Sequence, residues 1–316
     1  MTATTVKRAA WALGALMLAS VIAVEAAQLA GAAGQERPPD PRSRSLRDCR
    51  DNPYNCVDTP NPLSTPDTVW LEEMTWMDVR DAVKAGKTTV IIPTGGVEPN
   101  GPWLALGKHN YVMEANCEAI ARKLGNALCA PIIKHVPEGS IEPPSGSMIT
   151  VGTISVRRET FEAILTDTAH SLKVHGFQNI IFVGDSGGNQ SGQKAVAETL
   201  TAKWNGSPVV AHIPEYYDNA SVQKFLVSIG VTKENQRSDN LHDEPFYTFN
   251  MMIANLDSVR WAQRVKAGKA TIDGVSIADK ARSLEIARKV VDFRATTAVT
   301  AIKKAIANKG RTTSQD

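Results

Sequence analysis

Short apolar segments alternate along the chain with longer segments in which apolar residues recur every three or four positions. Thr88–Pro93 and Asn179–Val183 are apolar and rich in β-branched residues, which is typical of strands buried on both faces. Glu159–Val174 carries its apolar residues on one helical face, and Gly176 follows as a stop signal. This alternation predicts an α/β fold of three layers, α/β/α, with a mostly parallel sheet in the middle.

The same patterns place the other elements. Tyr111–Leu124 has a continuous apolar face and is followed by Gly125, so it is predicted to be a helix. Further predicted helices are Val69–Ala85, Gln190–Trp204 and Asp279–Asn308, and further predicted strand regions are Ala127–His135 and Pro208–Ile213.

The first residues have the composition of a secretory signal. Lys7 and Arg8 precede an apolar run, Ala9–Val24, that is shorter than the roughly 20 residues a membrane helix needs. Ala30–Ala32 provides small residues for cleavage. The pattern predicts a signal peptide over residues 1–33, a periplasmic or secreted mature protein, and no stable membrane contact after cleavage. An uncleaved anchor is the alternative.

The composition changes behind this signal. Residues 34–68 are rich in Pro and Arg and are predicted to be a linker, and residues 69–316 are predicted to form one α/β domain. The chain has 35 Lys and Arg against 33 Asp and Glu and has no basic stripe with interleaved aromatic residues. This balance argues against a nucleic-acid partner.

The four cysteines fall into two pairs. Cys49 and Cys56 lie in the linker, and their spacing permits a small disulfide loop in an exported protein. Two reduced thiols in a flexible segment are the alternative. Cys117 and Cys129 fall in a predicted helix and a predicted strand, where we expect buried, unpaired thiols.

A glycine-rich loop follows the first strand and carries polar side chains. Glu98, Asn100 and His109 stand in the stretch that begins behind Pro93. In open α/β sheets, ligands bind outside the carboxyl ends of the strands. A carboxylate, an amide and an imidazole there indicate a metal or acid–base site. A structural loop whose polar groups satisfy the backbone is the alternative.

Four sequence blocks follow one another along the chain: GGVEPNGPWLALGKHN at 95–110, VGTISV at 151–156, VGDSGGN at 183–189, and His242 followed by DEPFYT. In this order they resemble the blocks of the creatininase (creatinine amidohydrolase) family. The resemblance spans roughly residues 69–308. It implies a creatininase-like three-layer fold, a small-molecule substrate, metal-dependent hydrolysis of a carbon–nitrogen bond other than a peptide bond, and a homo-oligomer.

The metal-ligand positions inside these blocks differ from those of the family. The family has Glu, His and Asp where this chain has Glu98, Asn100 and His109, so only the glutamate matches. It has His and Glu where this chain has Ser186 and Gly188. Because an amide is a poor ligand for zinc-like ions, the comparison implies that a two-metal centre is lost.

A site for a single ion is the remaining metal hypothesis. Glu98, His109 and Asp185 offer two carboxylates and an imidazole, a set that suits zinc, manganese or iron and leaves a position for water. For Asp185, the alternatives are a cap on the following helix or a bond to the glycine turn.

His242 is the catalytic candidate that the blocks retain. In the family this histidine handles the proton as the amide opens, and a neighbouring carboxylate such as Asp243 can hold its tautomer. A surface histidine in an acidic loop is the alternative. Tyr216 and Tyr217 lie where the family has its pocket aromatic, and Tyr217 is the candidate; core packing of one of the two tyrosines is the alternative. The other candidate substrate-binding residues are Asn100, Ser186 and Asp243.

We interpret the chain as a creatininase-like, metal-dependent amidohydrolase for a small cyclic or linear amide. Glu98, Asp185 and His242 are its predicted catalytic residues. A degenerate member of the family that binds a small polar ligand is the alternative, because several ligand positions are changed. A third hypothesis is a Ser186–His242 nucleophile pair oriented by Asp185 or Asp243.

Overall fold

The computed structural model of the chain describes residues 52–310. The predicted signal peptide, 1–33, and Cys49 lie outside the described residues. Cys56 is disulfide-bonded, and its pairing with Cys49 stays a prediction.

The described chain divides between Ser64 and Thr65 into a short first unit and a larger second unit. In the first unit, Pro53–Asn55 forms one turn of 3-10 helix. The second unit contains every helix and strand described below. Within residues 52–310, no helix is long and apolar enough to cross a membrane.

Four parallel strands form the sheet of the second unit, in the order β2-β1-β3-β4. The two central strands pair along their full length, from Thr89 opposite Asn179 to Thr94 opposite Gly184. Two short antiparallel strands, β5 and β6, form a separate ribbon. The bounds are Thr89–Thr94 for β1, Ala127–Cys129 for β2, Asn179–Gly184 for β3, Val209–His212 for β4, Thr271–Ile272 for β5 and Val275–Ser276 for β6.

Helices cover both faces of this sheet. The helices of the second unit are α1 Trp76–Lys84, α2 Lys108–Leu124, α3 Arg158–Val174, α4 Gly187–Trp204, α5 Asn219–Ser228, α6 Pro245–Ala254, α7 Trp261–Lys266 and α8 Lys280–Ala307. Single 3-10 turns lie at Leu71–Glu73, Gly146–Ile149, Pro214–Tyr217 and Leu256–Val259.

Successive residues of each central strand point to opposite faces of the sheet, and each face has its own apolar cluster. Ile91 and Ile181 pack with α2 and α8 on one face. Val90, Ile180 and Phe182 pack with α3 and α4 on the other. The predicted α/β fold of three layers with a mostly parallel sheet is therefore confirmed, and the two predicted strands are direct neighbours.

Two helices begin earlier than the pattern predicts, and this moves functional side chains onto them. Helix α2 begins at Lys108 rather than at Tyr111, so His109 lies in its first turn and not in a loop. Helix α4 begins at Gly187, directly after the end of β3. The helix predicted from Val69 starts only at Trp76, behind a capping box formed by Thr75 and Asp78.

A third apolar cluster contains the region between β4 and α8, to which the sequence assigned no elements. Leu226 of α5 and Phe249 of α6 pack in it with Val290 of α8, and all three side chains are fully buried. Helix α6 also carries Tyr247, whose place in the site depends on this packing.

The prediction of unpaired thiols at Cys117 and Cys129 is wrong, because the two residues form a disulfide. Helix α2 packs across the edge strand β2, which brings their Cα atoms to 6.2 Å, within the range that a disulfide bridges. Both residues are fully buried, as predicted.

Candidate functional site

Three of the predicted residues form one hydrogen-bonded chain at the carboxyl ends of the central strands. His109 Nε2 lies 2.6 Å from Glu98 Oε1, and His109 Nδ1 lies 2.7 Å from Asp185 Oδ2. All three residues are buried. Glu98 follows β1 and Asp185 follows β3, so the parallel pairing of these strands places one carboxylate on each side of the imidazole.

Arg294 of α8 extends this chain, and sequence reasoning missed it. Its Nη2 donates to Asp185 Oδ1 at 2.6 Å, and its guanidinium carbon lies 4.2 Å from the centre of the Tyr216 ring. Arg294 is 1% exposed, and it interrupts a helical face that otherwise carries residues such as Val290 and Ala298. A buried arginine needs a partner anion, so its position on this apolar face was the available signal.

The charges of this chain are fixed by its neighbours. Burial alone would raise the pKa of Glu98, but the hydrogen bond from His109 and the nearby cations lower it to about 2. Burial lowers the pKa of His109, and the bonds to Asp185 and Glu98 outweigh that effect and raise it. For Asp185, burial is outweighed by the charge of Arg294 and the bond from His109, so its pKa is lowered.

Lys108 precedes His109 in the first turn of α2 and is fully buried. Its Nζ donates to the main-chain carbonyl of His242 at 3.1 Å, lies 3.9 Å from Glu98 Oε1, and lies 4.1 Å from the centre of the Tyr247 ring. Burial lowers the pKa of Lys108 to about 8, against the charges of Glu98 and other carboxylates. Lys108 therefore joins the Glu98 side of the site to the turn that carries His242.

His242 lies beside the same glutamate. Its Nδ1 is 3.5 Å from Glu98 Oε1, its side chain is 44% exposed, and its φ of 60° lies in the left-handed region. Glu98, His109 and His242 each offer one ligand atom, and these atoms lie within 4.8 Å of one another. These three residues form a candidate metal site. Asp185 is not one of its ligands, because it is hydrogen-bonded to the other ring nitrogen of His109, Nδ1.

Glu138 is a second carboxyl that sequence reasoning missed. It is 7% exposed; its Oε2 accepts a hydrogen bond from Ser186 Oγ at 3.2 Å, and its Oε1 has no hydrogen-bond partner within the described residues. Burial and the charge of Glu98 raise its pKa to about 7. A Cβ atom at Gly96 would lie 2.0 Å from Glu138 Oε1, so glycine at that position admits the carboxyl.

The other predicted substrate-binding residues are all buried, and each has different neighbours. Asn100 is fully buried, and its Nδ2 donates to the main-chain carbonyl of Glu98 at 2.7 Å. Ser186 is buried against Glu138. Asp243 is buried 3.9 Å from the guanidinium of Arg264, and burial and the charge of Asp239 raise its pKa to about 6. None of these three side chains lines the pocket described next.

A pocket of about 720 Å³ opens beside His242. Tyr217, Tyr247 and Glu244 also line it, and this volume suits a small organic ligand. Tyr217 is half-buried, whereas its neighbour Tyr216 lies in the core. The structure brings Glu98, His109, Asp185 and His242 together, and His242 and Tyr217 line this pocket; the roles predicted for these residues stay predictions.

The fold and the site define a three-layer α/β protein with a carboxylate–imidazole centre at the carboxyl ends of its strands. The chain belongs to the creatininase family, because the family model described as creatinine amidohydrolase matches residues 72–316. A creatinine amidohydrolase of Pseudomonas putida is 23% identical over 116 residues, which are 37% of this chain and 44% of that protein. The match therefore spans less than half the length of this curated relative.

Solved creatininase structures share the fold. A mutant creatininase complexed with creatine has a TM-score of 0.55 at 17% identity, and the match covers 76% of this chain and 99% of that one. Two others are described as a manganese creatininase and as a mutant of zinc–zinc type. Each of these two matches covers 78% of this chain and 100% of the other, with TM-scores of 0.52 and 0.51 and identities of 18% and 19%.

The residues present do not fit a two-ion centre. The amide of Asn100 is turned toward the main chain of Glu98, and Ser186 is bonded to Glu138. A Cβ atom at Gly188 would lie 2.0 Å from the main-chain oxygen of Pro137, so the backbone leaves no room for a ligand side chain there.

Glu98, His109 and His242 are the residues that could hold one divalent ion. Two imidazoles and a carboxylate are ligands that zinc, manganese and iron accept. The bond from His109 Nδ1 to Asp185 is the arrangement by which proteins orient a metal-binding histidine and raise its basicity. Arg294 in turn holds Asp185 in place.

Proposed function

We propose that this chain hydrolyses a non-peptide carbon–nitrogen bond of a small cyclic or linear amide, with one divalent ion held by Glu98, His109 and His242. The observation that carries the proposal is the convergence of these three ligand atoms beside a pocket, with Asp185 behind His109. In this proposal Asp185, which the sequence suggests as a ligand, has the outer role of orienting His109.

The pocket beside His242 supplies the binding surface. Tyr217 and Tyr247 offer aromatic edges for a planar amide, and the half-buried Glu244 offers a buried carboxylate oxygen, Oε2, that has no hydrogen-bond partner within residues 52–310. Such an oxygen favours a ligand that donates an N–H group.

The ion would supply Lewis-acid chemistry to the scissile carbonyl. The chain itself supplies proton transfer. Glu98 and Glu138 are two carboxyls whose surroundings push their pKa values apart, to about 2 and about 7. Divergent carboxyl pKa values are typical of acid–base pairs, so Glu138 is the candidate proton carrier of the site. Its bond with Ser186 fixes the orientation of that carboxyl.

A binding protein without catalysis is the second candidate function. It is favoured by the two bonds that occupy both ring nitrogens of His109, because Glu98 and Asp185 are then neutralised without an ion. In that case the pocket lined by Tyr217 and Tyr247 would hold a small polar ligand unchanged.

We also propose that the mature protein works in the periplasm or outside the cell. The buried Cys117–Cys129 disulfide supports this, because disulfides persist mainly in oxidising compartments. N-terminal sequencing of the protein from a native fraction tests it, and an intact Met1 in the cytosol would contradict it. A homo-oligomer stays a prediction from the family.

The experiment for the main proposal combines metal content with hydrolysis of a panel of cyclic and linear amides. The wild type should hold one ion. Glu98→Ala should lose the ion and activity together, and His242→Ala should lose most of the ion. Asp185→Asn should bind the ion roughly 10–100-fold more weakly, the usual cost of removing an outer carboxylate.

Two outcomes would contradict this assignment. If His242→Ala keeps the ion and loses about 10²–10⁴-fold in turnover, His242 is the proton carrier that the sequence predicts and not a ligand. If the wild type holds no ion and hydrolyses no amide of the panel, the binding-protein function replaces the hydrolase.

A further inference from the structure

We propose that the ammonium group of Lys108 takes the place of a second metal ion beside Glu98 and weakens the binding of the single ion there. This inference rests on the proposed single-ion hydrolase. It assigns Lys108 a role toward the ion that neither the family model nor the named relatives give it.

The contacts of Lys108 hold a charged group. The residue is fully buried, and its Nζ donates one hydrogen bond, to the carbonyl of His242 at 3.1 Å. It also lies 4.1 Å from the centre of the Tyr247 ring and 3.9 Å from Glu98 Oε1, as a cation–π contact and a longer ion pair. Because a buried ammonium is costly unless it is paired, these contacts offset part of that cost.

The same carboxylate oxygen is shared with the candidate ion. Glu98 Oε1 faces His109 Nε2, His242 Nδ1 and Lys108 Nζ. A dication and an ammonium near one oxygen repel each other, and burial strengthens that repulsion because little water screens it. Lys108 therefore weakens the binding of cations beside Glu98 while it neutralises the carboxylate itself.

The remaining positions could not hold a second ion in any case. Asn100 and Ser186 are engaged elsewhere, and position 188 has no room for a side chain. The ammonium group of Lys108 therefore supplies, in place of a second ion, the additional positive charge beside Glu98.

Lys108 is also a positioning residue for His242. Its bond to the His242 carbonyl holds a turn with φ of 60°, a conformation that a residue other than glycine adopts only under constraint. Removing the ammonium should thus have two opposite effects. The ion should bind more tightly because the lost repulsion outweighs the loosening of the His242 ligand, and turnover should fall because the His242 turn is released.

The test is Lys108→Met, with titration of Zn²⁺ or Mn²⁺ by calorimetry and amide turnover measured on the same samples. We expect the ion to bind at least about tenfold tighter and turnover to fall by about tenfold or more. A purely structural role would instead weaken binding, because a damaged site binds less.

The matched control is Lys173→Met. Lys173 Nζ also lies over an aromatic ring, 4.3 Å from the centre of Trp204, but outside the site. This control should leave ion affinity and turnover unchanged. Lys108→Arg, which keeps the charge, should bind the ion no more tightly than the wild type. If Lys108→Met fails to fold, Lys108→Gln replaces it, since the amide retains a donor for the His242 carbonyl.

The outcomes separate this inference from the proposed function. If the wild type binds one ion and folded Lys108→Met binds it equally or more weakly, the inference is wrong and the hydrolase proposal stands. If the wild type binds none and Lys108→Met binds one, the inference holds and the hydrolase proposal fails. If neither binds an ion, both are overturned.

Discussion

The apolar clusters on the two faces of the sheet and the charged residues at the carboxyl edge of its strands are both buried, but they are stabilised differently. On the faces, Ile91 and Phe182 each pack with many apolar neighbours, and no single partner decides their position. At the edge, Asp185, His109 and Arg294 are also at most 1% exposed, yet each depends on one or two directed bonds.

This difference indicates where the molecule tolerates change. Removing a methyl group from an apolar cluster loses part of a distributed contact, and the surroundings relax. Removing one partner of a buried ion pair leaves an uncompensated charge, which costs far more than the pair contributes. The edge should therefore be the more sensitive region, even though its residues belong to the functional site.

The largest expected effect is that of Arg294→Met. The thioether preserves much of the side-chain volume but leaves the Asp185 carboxylate without its guanidinium, so the free energy of unfolding should fall by about 3–5 kcal/mol. Urea unfolding at neutral pH measures it. Arg288→Met, at an exposed position of the same helix, is the control and should change stability by less than about 0.5 kcal/mol. A loss below about 1 kcal/mol in Arg294→Met would mean that Asp185 is satisfied without this arginine.

The second-largest expected effect is that of removing the disulfide between Cys117 and Cys129, which lies in one of the apolar clusters. The Cys117–Cys129 bridge closes a loop with a sequence separation of 12. The double variant Cys117→Ala, Cys129→Ala should lose about 2–4 kcal/mol of unfolding free energy, mainly because its unfolded chain is less constrained. Urea unfolding of the oxidised protein, its reduced form and this variant provides the measurement. Four free thiols in the unreduced protein would contradict the bridge itself.

The contrast between the apolar clusters and the charged edge also explains how much of the structure the sequence could predict. The strands Thr89–Thr94 and Asn179–Gly184 are buried at nearly every position and apolar in their centres, so local pattern and buried environment agree. Their pairing then places Glu98 and Asp185 at one edge, which the rule for ligand sites in α/β sheets anticipates. The family blocks added His242, which lies far away in sequence.

The groups that complete the site were beyond that reasoning. Arg294 comes from the last helix, and Glu138 comes from the loop behind β2, so only tertiary packing brings them to Glu98 and Asp185. Lys108 was missed because the start of α2 was placed three residues too late, at Tyr111. The first turn carries polar residues and no apolar periodicity, so the pattern does not reveal it.

The smallest expected effect is that of Glu138→Gln. It is the most specific, because this variant is expected to gain stability whereas Arg294→Met is expected to lose it. Among the residues that the structure describes, Glu138 has no ion-pair partner such as Arg294 is for Asp185, and burial and the charge of Glu98 raise its pKa from 4.5 to about 7. A carboxyl whose folded pKa is raised stabilises the native state below its unfolded pKa of 4.5, and that contribution is lost as the pH rises through about 7. Above pH 7 the native protein must hold an ionised Glu138 beside Glu98.

Glu138→Gln should therefore be about 1–2 kcal/mol more stable than the wild type at pH 8, after allowance for screening, and nearly equal to it at pH 5. Urea unfolding at both pH values measures this, with the exposed Glu142→Gln as a control that should show no such difference. Under the hydrolase proposal the same variant should lose turnover while it keeps the ion. If Glu138→Gln is less stable than the wild type at pH 8, the carboxylate is instead stabilised by an interaction stronger than its bond with Ser186, and Glu138 cannot be the proton-holding group of the site.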